Sequence, residues 1–492
     1  MKRIAIFAFG LLITFSVRAQ QSEMTLLHLY RSVPQANQLN AALFPDYKFT
    51  MSLPGAGSHF VYLNNNFLSG DFVRQNLTGG TLQVAALDIA SRLKKVNRIE
   101  AGAVSNLFHL GLRYPQNYFA IGTNLRAQNG ASIPRSALEV LLLGNNNIGP
   151  DALDLDPLSL RSMAYLESYF SYGREITTDW YMGARIKLLS GISHVGLDHI
   201  GMAFDLQPTG FSMFLNDFTY RSAGIAGVAS MALDGAINDL LNDSTGNGFG
   251  NLLTNYSPAS AFQNVGLSLD IGASYQLDDF LLHAGINDIG FINWASGNTY
   301  QLDFSAQEYH FEGFDYSAFE NGGDPYASVN TVNVDSLLDA WAPVIDRESS
   351  YRTPLPMKMY AGAYYDLADW HRVGALSYIT LINNRAFASL SFAYNVKLKR
   401  ILDVAVTTSL VGGTIRNVGL GADLNLAICH VHFITDNLLA AFDPGSFQNV
   451  NARMGINIAL GQVGARKVNV DDNGNDGVLD FLDNGGGGLR RR

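Results

Sequence analysis

The chain has 492 residues, of which 15% are charged, and its 43 acidic and 33 basic residues give a net charge of −10. An acidic balance excludes a nucleic-acid-binding footprint, and a single cysteine, Cys429, excludes an intrachain disulfide framework. Forty-eight glycines and 11% aromatic residues accompany the low charge, and no apolar run after residue 20 is long enough for a spanning helix. This composition fits a transmembrane β-barrel better than a secreted soluble sandwich.

Lys2-Arg3, the uncharged run from Ile4 to Val17 and Val17-Arg18-Ala19 before Gln20 read as a secretory signal peptide, residues 1–19. The run is too short to cross a bilayer as a helix. Removal of Lys2, Arg3 and Arg18 makes the mature chain more acidic, and no cysteine follows the cut to carry a lipid. Residues 20–462 then form the barrel, beginning with an extended lead-in from Gln20 to Asp46 that has no clean period and contains Pro34 and Pro45.

Alternation starts weakly at Phe49 and Phe60, and Thr81 to Val96 has apolar residues at helical spacing with basic residues at its end. The first strong hairpin, Val104 to Ala127, turns at Tyr114-Pro115-Gln116-Asn117. Ala131 to Asn147 interrupts it with an apolar helix and an Asn run. Met163 to Tyr172 pairs with Trp180 to Leu189, and Ile200 to Leu206 turns at Pro208-Thr209-Gly210 into Phe211 to Tyr220. Ser222 to Asn242 reads as a helix and Asp243 to Ser257 as a Gly/Asn loop. Val265 to Tyr275 and Phe280 to Ile286 form the next hairpin, and the longest interruption follows at 291–352. Met357 to Tyr365 and Val373 to Tyr378 lead into four segments between Ala386 and Leu460 in which apolar and polar residues alternate almost without a break.

Short turns at 114–117, 174–179, 207–210, 277–279, 366–371 and 397–401 alternate with long inserts, as short periplasmic turns and long external loops do in outer-membrane barrels. The expected fold is all-β, a transmembrane antiparallel β-barrel of about 14 strands (range roughly 12–16), with short helices in loops or lumen. On this parity the last strand descends, and the acidic Asn/Gly-rich tail 463–492 lies in the periplasm.

Trp180, Trp294 and Trp370, with Tyr172, Tyr181 and Tyr365, stand at strand ends where aromatic girdles belong. The polar strand face carries Arg113, Arg126, Arg185, Lys187, Lys358, Arg385 and Arg453 beside Glu167, Asp270, Asp403 and Asp423. These residues either line a solute-binding lumen or neutralise one another inside a filled one. His430 and His432 share a strand face, Cys429 takes the other, and no third ligand completes a metal set. Gly246-Asn247-Gly248-Phe249-Gly250 lacks the strand and helix of a nucleotide loop, and no Gly-x-Ser-x-Gly or His-Glu-x-x-His motif occurs, so no catalysis is expected. In the tail, Asp472, Asp476, Asp480 and Asp483 resemble one degenerate calcium-binding repeat of the thrombospondin type 3 kind. Weak calcium at this tail is the one cofactor considered, and a solvated acidic linker is the plainer reading.

Pro34-Gln35-Ala36-Asn37-Gln38-Leu39-Asn40-Ala41-Ala42 with Phe44-Pro45, and the hairpin Tyr172-Gly173-Arg174-Glu175-Ile176 to Met182-Gly183-Ala184-Arg185-Ile186-Lys187, resemble a family of outer-membrane barrels of unassigned function. That family is similar to the PorP/SprF proteins of type IX secretion and gliding and, in architecture, to FadL-like barrels. The resemblance implies an accessory or anchoring component of a secretion or surface-assembly system, with outer-membrane lipid and cell-envelope proteins as partners. The alternative it implies is a FadL-like transporter for small or apolar solutes, with helices 81–96 and 222–242 plugging the lumen.

Overall fold

The computed structural model describes residues 23–463 except 68–76, 79–80, 83–85, 144–152, 156–157, 208–209, 228–229, 231–262, 298, 305–306, 312–343, 347–348, 369, 383–384, 399–400, 412–413 and 443–448. Residues 1–19, expected to be a signal peptide, and the tail with its four aspartates lie outside the described residues.

Fourteen antiparallel strand positions close into a barrel. The first position is the interrupted strand β1 (Tyr47–Ser52) and β2 (Ser58–Asn65). There follow β3 (Val96–Tyr114), β4 (Asn117–Pro134), β5 (Ser159–Glu175) and β6 (Trp180–Gln207). Beyond Ser193 the free edge of β6 is taken by β7 (Gly210–Gly224), while β8 (Val265–Leu277) pairs with the same edge from Trp180 to Ser190. β9 (Phe280–Trp294) comes next, extended upward by β10 (Thr299–Phe304), which pairs with β7. The circuit continues with β11 (Tyr351–Pro354) leading into β12 (Met357–Ala368), then β13 (His371–Ile382), β14 (Arg385–Leu398), β15 (Leu402–Val411), β16 (Thr414–Leu426), β17 (Cys429–Thr435) and β18 (Asn449–Gln462). β18 pairs with β1 and β2, leaving no open edge in the wall.

The wall is inverted relative to a soluble protein. Met182, Ile186 and Leu188 on β6 are about half exposed while Arg185 and Lys187 between them are buried, and β8 repeats this with Leu267, Leu269 and Ile271 outside and Ser268 and Asp270 inside. An apolar belt facing outward is stable only against hydrocarbon, so the wall is that of an outer-membrane barrel. At the short-turn end, outward rings pair across strands: Phe119 with Tyr172 at 5.1 Å, Trp180 with Tyr275 at 4.8 Å and Phe280 with Tyr365 at 4.4 Å. Trp370 is exposed at the same end. Trp294 is not part of a girdle. It is fully buried, its indole Nε1 donates to Thr353 Oγ1 at 3.0 Å, and it stacks near His194 inside the barrel.

Three other expectations change. The turn at 207–210 stands at the opposite end from the other short turns, because β6 continues far past its wall segment and β7 is its return. Long inserts do not occupy every second connection, since β13 ends at Ile382 with β14 starting at Arg385, and β15 ends at Val411 with β16 starting at Thr414. The helix expected over 81–96 covers only Ala86–Arg92, because Val96 already begins β3. At the long-loop end Arg135, which opens the helix Arg135–Leu143, donates to the carbonyls of Leu93 and Ala90. Of 222–242, Ser222–Gly224 close β7, Ile225–Gly227 and Ser230 are helical, and the rest lies outside the described residues.

Ile186 stands near mid-wall and faces out, so Ile186→Arg should destabilise the folded barrel by about 2–4 kcal/mol in lipid. Denaturant titration during refolding into vesicles reads this, and an unchanged midpoint would place Ile186 outside the hydrocarbon.

Candidate functional site: a plugged lumen

A lumen bounded by fourteen strands is wider than wall side chains alone fill. Here the N-terminal segment fills it. Residues 23–46, expected to be an extended lead-in, instead form a compact plug: helix α1 (Met24–His28), a 3₁₀ turn (Pro34–Gln38) and a return to the short-turn end at Pro45, with Tyr47 entering the wall. Nearly every plug residue is buried. Met24, Leu26, Leu27, Leu29, Val33 and Leu39 form an apolar core with Leu376, Tyr360, Tyr364, Tyr378 and Ile434 of the wall. Each buried aliphatic side chain of this kind contributes roughly 1.5–3 kcal/mol.

The wall reads the plug backbone through polar side chains. Arg185 Nη2 donates to Asn37 Oδ1 at 2.6 Å and to its carbonyl at 2.8 Å, Asn287 Nδ2 to the Leu39 carbonyl at 2.7 Å, Asn395 Nδ2 to the His28 carbonyl at 2.7 Å and Tyr364 OH to the Leu27 carbonyl at 2.9 Å. The side-chain amides of Gln35 and Asn457 exchange two hydrogen bonds, Gln35 Nε2 donating to Asn457 Oδ1 at 2.8 Å and Asn457 Nδ2 to Gln35 Oε1 at 3.0 Å. Asp436 Oδ1 accepts the Thr25 N–H at 2.8 Å, satisfying a donor of the first turn of α1. The Glu23 carboxylate pairs with Arg453, whose Nη1 also donates to Ser58 Oγ at 2.8 Å.

Four glycines seat the plug. Gly173, Gly183, Gly272 and Gly285 are direct partners across β5, β6, β8 and β9. A Cβ on Gly183 would strike the Ala41 carbonyl, one on Gly272 the Asn40 side chain and one on Gly173 the Phe44 ring. Main chain of Ala41 and Ala42, flanked by the side chains of Asn40 and Phe44, lies on Gly173, Gly183 and Gly272, a close approach that a side chain at those three positions forbids, while Gly285 meets only the Asn40 side chain.

Above the plug is a buried ion network. Arg126 pairs with Glu167 at 2.9 Å; Lys187 with Asp288 at 2.6 Å, Asp270 at 2.8 Å and Glu167 at 3.6 Å; Arg185 with Asp270 at 3.3 Å; Lys358 with Asp288 at 3.1 Å. Asp288 has φ 64 and breaks the β8–β9 register, so that Asn287 and Asp288 both point inward, the first to the plug and the second to the cations. Beyond the network, Met163, Tyr165, Leu189, Ala223, Ile292, Trp294 and Leu355 form an apolar cap. The Arg161 guanidinium, reaching the Pro354 carbonyl, ties the wall across this level.

The structure brings Arg126, Arg185, Lys187 and Asp270 into one network. Arg453 and Asp423 face the lumen elsewhere, Asp423 accepting from His430 Nδ1 at 2.7 Å. His432 bonds Ser58, and among the described residues no three His, Cys, Asp or Glu side chains form a metal set. Arg113 lies at the short-turn mouth, where its Nη1 donates to the Pro45 carbonyl at 3.0 Å, and Asp403 lines a cavity at the same mouth. Arg385 begins β14, and its side chain is outside the described set. Sequence reasoning missed Asn287, Asp288, Asn395, Asn457 and the glycine row. The phase slip from Ile286 to Ile289, with two polar residues between, is the signal of the bulge.

A family model described as a family of unknown function (DUF5723) matches residues 42–436. No curated protein matches the chain. Among solved structures, the Ralstonia pickettii toluene transporter TbuX is similar at 9% identity and TM-score 0.39, covering 87% of this chain and 94% of its own. A Pseudomonas aeruginosa FadL homologue is similar at 9% identity and TM-score 0.40, covering 88% and 94%. The translocator domain of the autotransporter NalP from Neisseria meningitidis is similar at 6% identity and TM-score 0.31, covering 84% and 88%. Similarity at this level does not bear on function.

Replacing Gly183 by Leu should unseat the plug without opening the wall. Amides of residues 24–46 should then exchange much faster than in the parent while the folded barrel still migrates as a compact species in unheated gel samples. Unchanged plug exchange would show that the glycine row is not the seat.

Proposed function

Because the chain belongs to the DUF5723 family, whose function is unknown, we propose from its geometry that it is a non-catalytic outer-membrane barrel passing small, largely apolar solutes under control of its N-terminal plug. The observation that carries this reading is that a separate stretch of chain occupies the lumen at its short-turn end, below the level that the wall's own ion network and apolar cap fill. A segment that joins the wall at Tyr47 and is held by hydrogen bonds, packing and the ion pairs of Glu23 with Arg453, Arg31 with Asp366, and Asp46 with Arg113 and Lys397 can leave without breaking the wall. Much of the wall beneath it is polar, with Ser171, Ser274, Asn287, Asn395, Thr407 and Asn457 facing in, so water can replace the plug there at modest cost. The apolar cap around Trp294 is the feature that favours an apolar solute.

A second reading, an accessory or anchoring component of a secretion or surface-assembly system with protein partners in the envelope, is favoured by the filled lumen: plug, ion network and cap occlude it at three levels. The resemblance to PorP/SprF proteins supports the same reading. In either case the short-turn end faces the periplasm and the tail follows it there.

The two separate on a lock. In a Cys429→Ser background, Asn40→Cys and Gly285→Cys place thiols where a Cβ at 285 would lie 3.3 Å from the Asn40 side chain. Bridged by a short reducible crosslinker in proteoliposomes, the pair should abolish entry of a small aromatic probe, and reduction should restore it. Equal entry in bridged and reduced protein would sink the gating reading.

A further inference from the structure

Two imidazoles meet where the plug packs on the wall, one from each side. His28 ends α1 of the plug and His283 belongs to β9. Both rings lie against Tyr364 of β12, His28 edge-on with ring centres 5.5 Å apart and His283 stacked at 5.1 Å. The two histidines are 2% and 4% exposed. Neither ring nitrogen of His28 has a hydrogen-bond partner among the described residues, and neither does Nε2 of His283. Bare wall backbone closes over these atoms: a Cβ on Gly374 would lie 3.1 Å from His28 Nδ1, and one on Gly362 would lie 2.6 Å from His283 Nε2. The other nitrogen of His283, Nδ1, faces Nδ2 of the plug residue Asn40 at 3.4 Å. Asn40 is oriented by its Oδ1, which accepts the Ala42 N–H at 2.9 Å, so Nδ1 meets only a donor and must keep its lone pair.

Nothing that faces the pair holds a proton on it. The carboxylates on that side have other partners: Asp366 of β12 pairs with Arg31 and Arg372 at 3.1 and 2.6 Å, Asp46 with Lys397 at 3.9 Å, and Asp403 of β15 bonds Ser32 of the plug. The remaining titratable or charged neighbours are Tyr30 beside Arg31 on the plug, Tyr364 itself, and His371 and Arg372 of β13, whose guanidinium is 5.4 Å from the Tyr364 ring centre. An imidazolium here would be sealed from water with no acceptor for its N–H groups. Burial, and then the neighbouring His283, push the His28 imidazole down to about 3.

We propose that this pair makes the plug acid-releasable: seated, both imidazoles are held neutral, and released, both meet water and take up protons, so acid draws the plug from the wall. The switch rests on the reading that the plug can leave its seat. In water an imidazole titrates near 6.5. The pair's contribution to seating is therefore whole above about pH 6.5 and is lost progressively as pH falls below it. At about pH 5.5 each released imidazole raises the released population about tenfold, and the two together raise it about a hundredfold.

The test is hydrogen exchange of the full chain in micelles at about pH 7.5 and about pH 5.5, each rate divided by that of an unstructured amide at the same pH. Across this step the protection of residues 24–46 should fall about a hundredfold more in the parent than in His28→Leu/His283→Phe, while the mid-wall of β6 behaves alike in both. Asp366, Asp403, His371 and the other groups titrate in both proteins and cancel in the comparison. An equal fall in parent and double variant overturns the switch. Should the double variant not assemble, nitrogen NMR of the parent's imidazoles decides. With the plug still protected at about pH 5.5, His28 and His283 should both read as neutral rings, and a charged ring at either overturns the proposal. No solute is present in these measurements, so their failure removes the switch alone, and failure of the crosslinked lock removes the gating alone.

Discussion

Everything in this structure follows from having hydrocarbon outside the wall. Backbone groups must be paired within the sheet, so the strands close into a ring, and apolar side chains must point away from the axis, so the polar ones converge on it. Fourteen positions make that interior too wide for side chains to fill unaided. The plug is the consequence. It brings its own leucines to the axis, where the wall supplies mainly tyrosines, amides and hydroxyls, and each of those polar groups must find a partner or leave a costly orphan.

The interior is ordered in the same sequence on four neighbouring strands. On β5, Gly173 and Ser171 meet the plug, Glu167 joins the ions, and Tyr165 and Met163 enter the cap; on β6 the series is Gly183, Arg185 and Lys187, then Leu189. β8 repeats the first two steps with Gly272 and Asp270, and β9 completes all three through Asn287, Asp288 and Trp294. Agreement between strands at each height makes the ion network a partition: its cations and carboxylates satisfy one another at the level where the plug ends and the apolar cap begins. Removing one partner strands the others in a site with little water, which costs far more than the pair itself contributes.

Much of the wall was legible because a two-residue period survives translation into a sheet: the inward placement of Arg126, Arg185, Lys187, Asp270 and Arg453 could be read from their neighbours. The plug was not legible by periodicity, since its chain turns too often for either a period of two or one of 3.6. A different signal was present. Gln20 to Asp46 holds only Glu23, Arg31 and Asp46 as charged residues among many leucines, alanines and amides, a composition suited to burial and unsuited to an exposed lead-in. Trp294 misled for the opposite reason. Its place at a strand end suggested an interface, but the register slip at Asp288 reverses which face the upper part of β9 presents. Mutual neutralisation was one of two readings of the polar strand face, and which segment the network roofs depends on a bulge that only pairing reveals.

The glycine row bears on how reversible the seating can be. Every amide and carbonyl along Gly173, Gly183, Gly272 and Gly285 belongs to a sheet flanked on both sides, so these main-chain groups hold their partners whether or not Asn40 to Phe44 lies on them. Departure of the segment therefore breaks no main-chain pairing within the wall along this strip; what is lost there is close packing and two side-chain bonds, from Asn40 Nδ2 to the Ala284 carbonyl at 3.1 Å and from Ser274 Oγ to the Ala42 carbonyl at 3.3 Å. The strip works as a slipway: a bare backbone track, smooth because nothing projects from it, along which a chain can settle or withdraw without the wall having to rearrange.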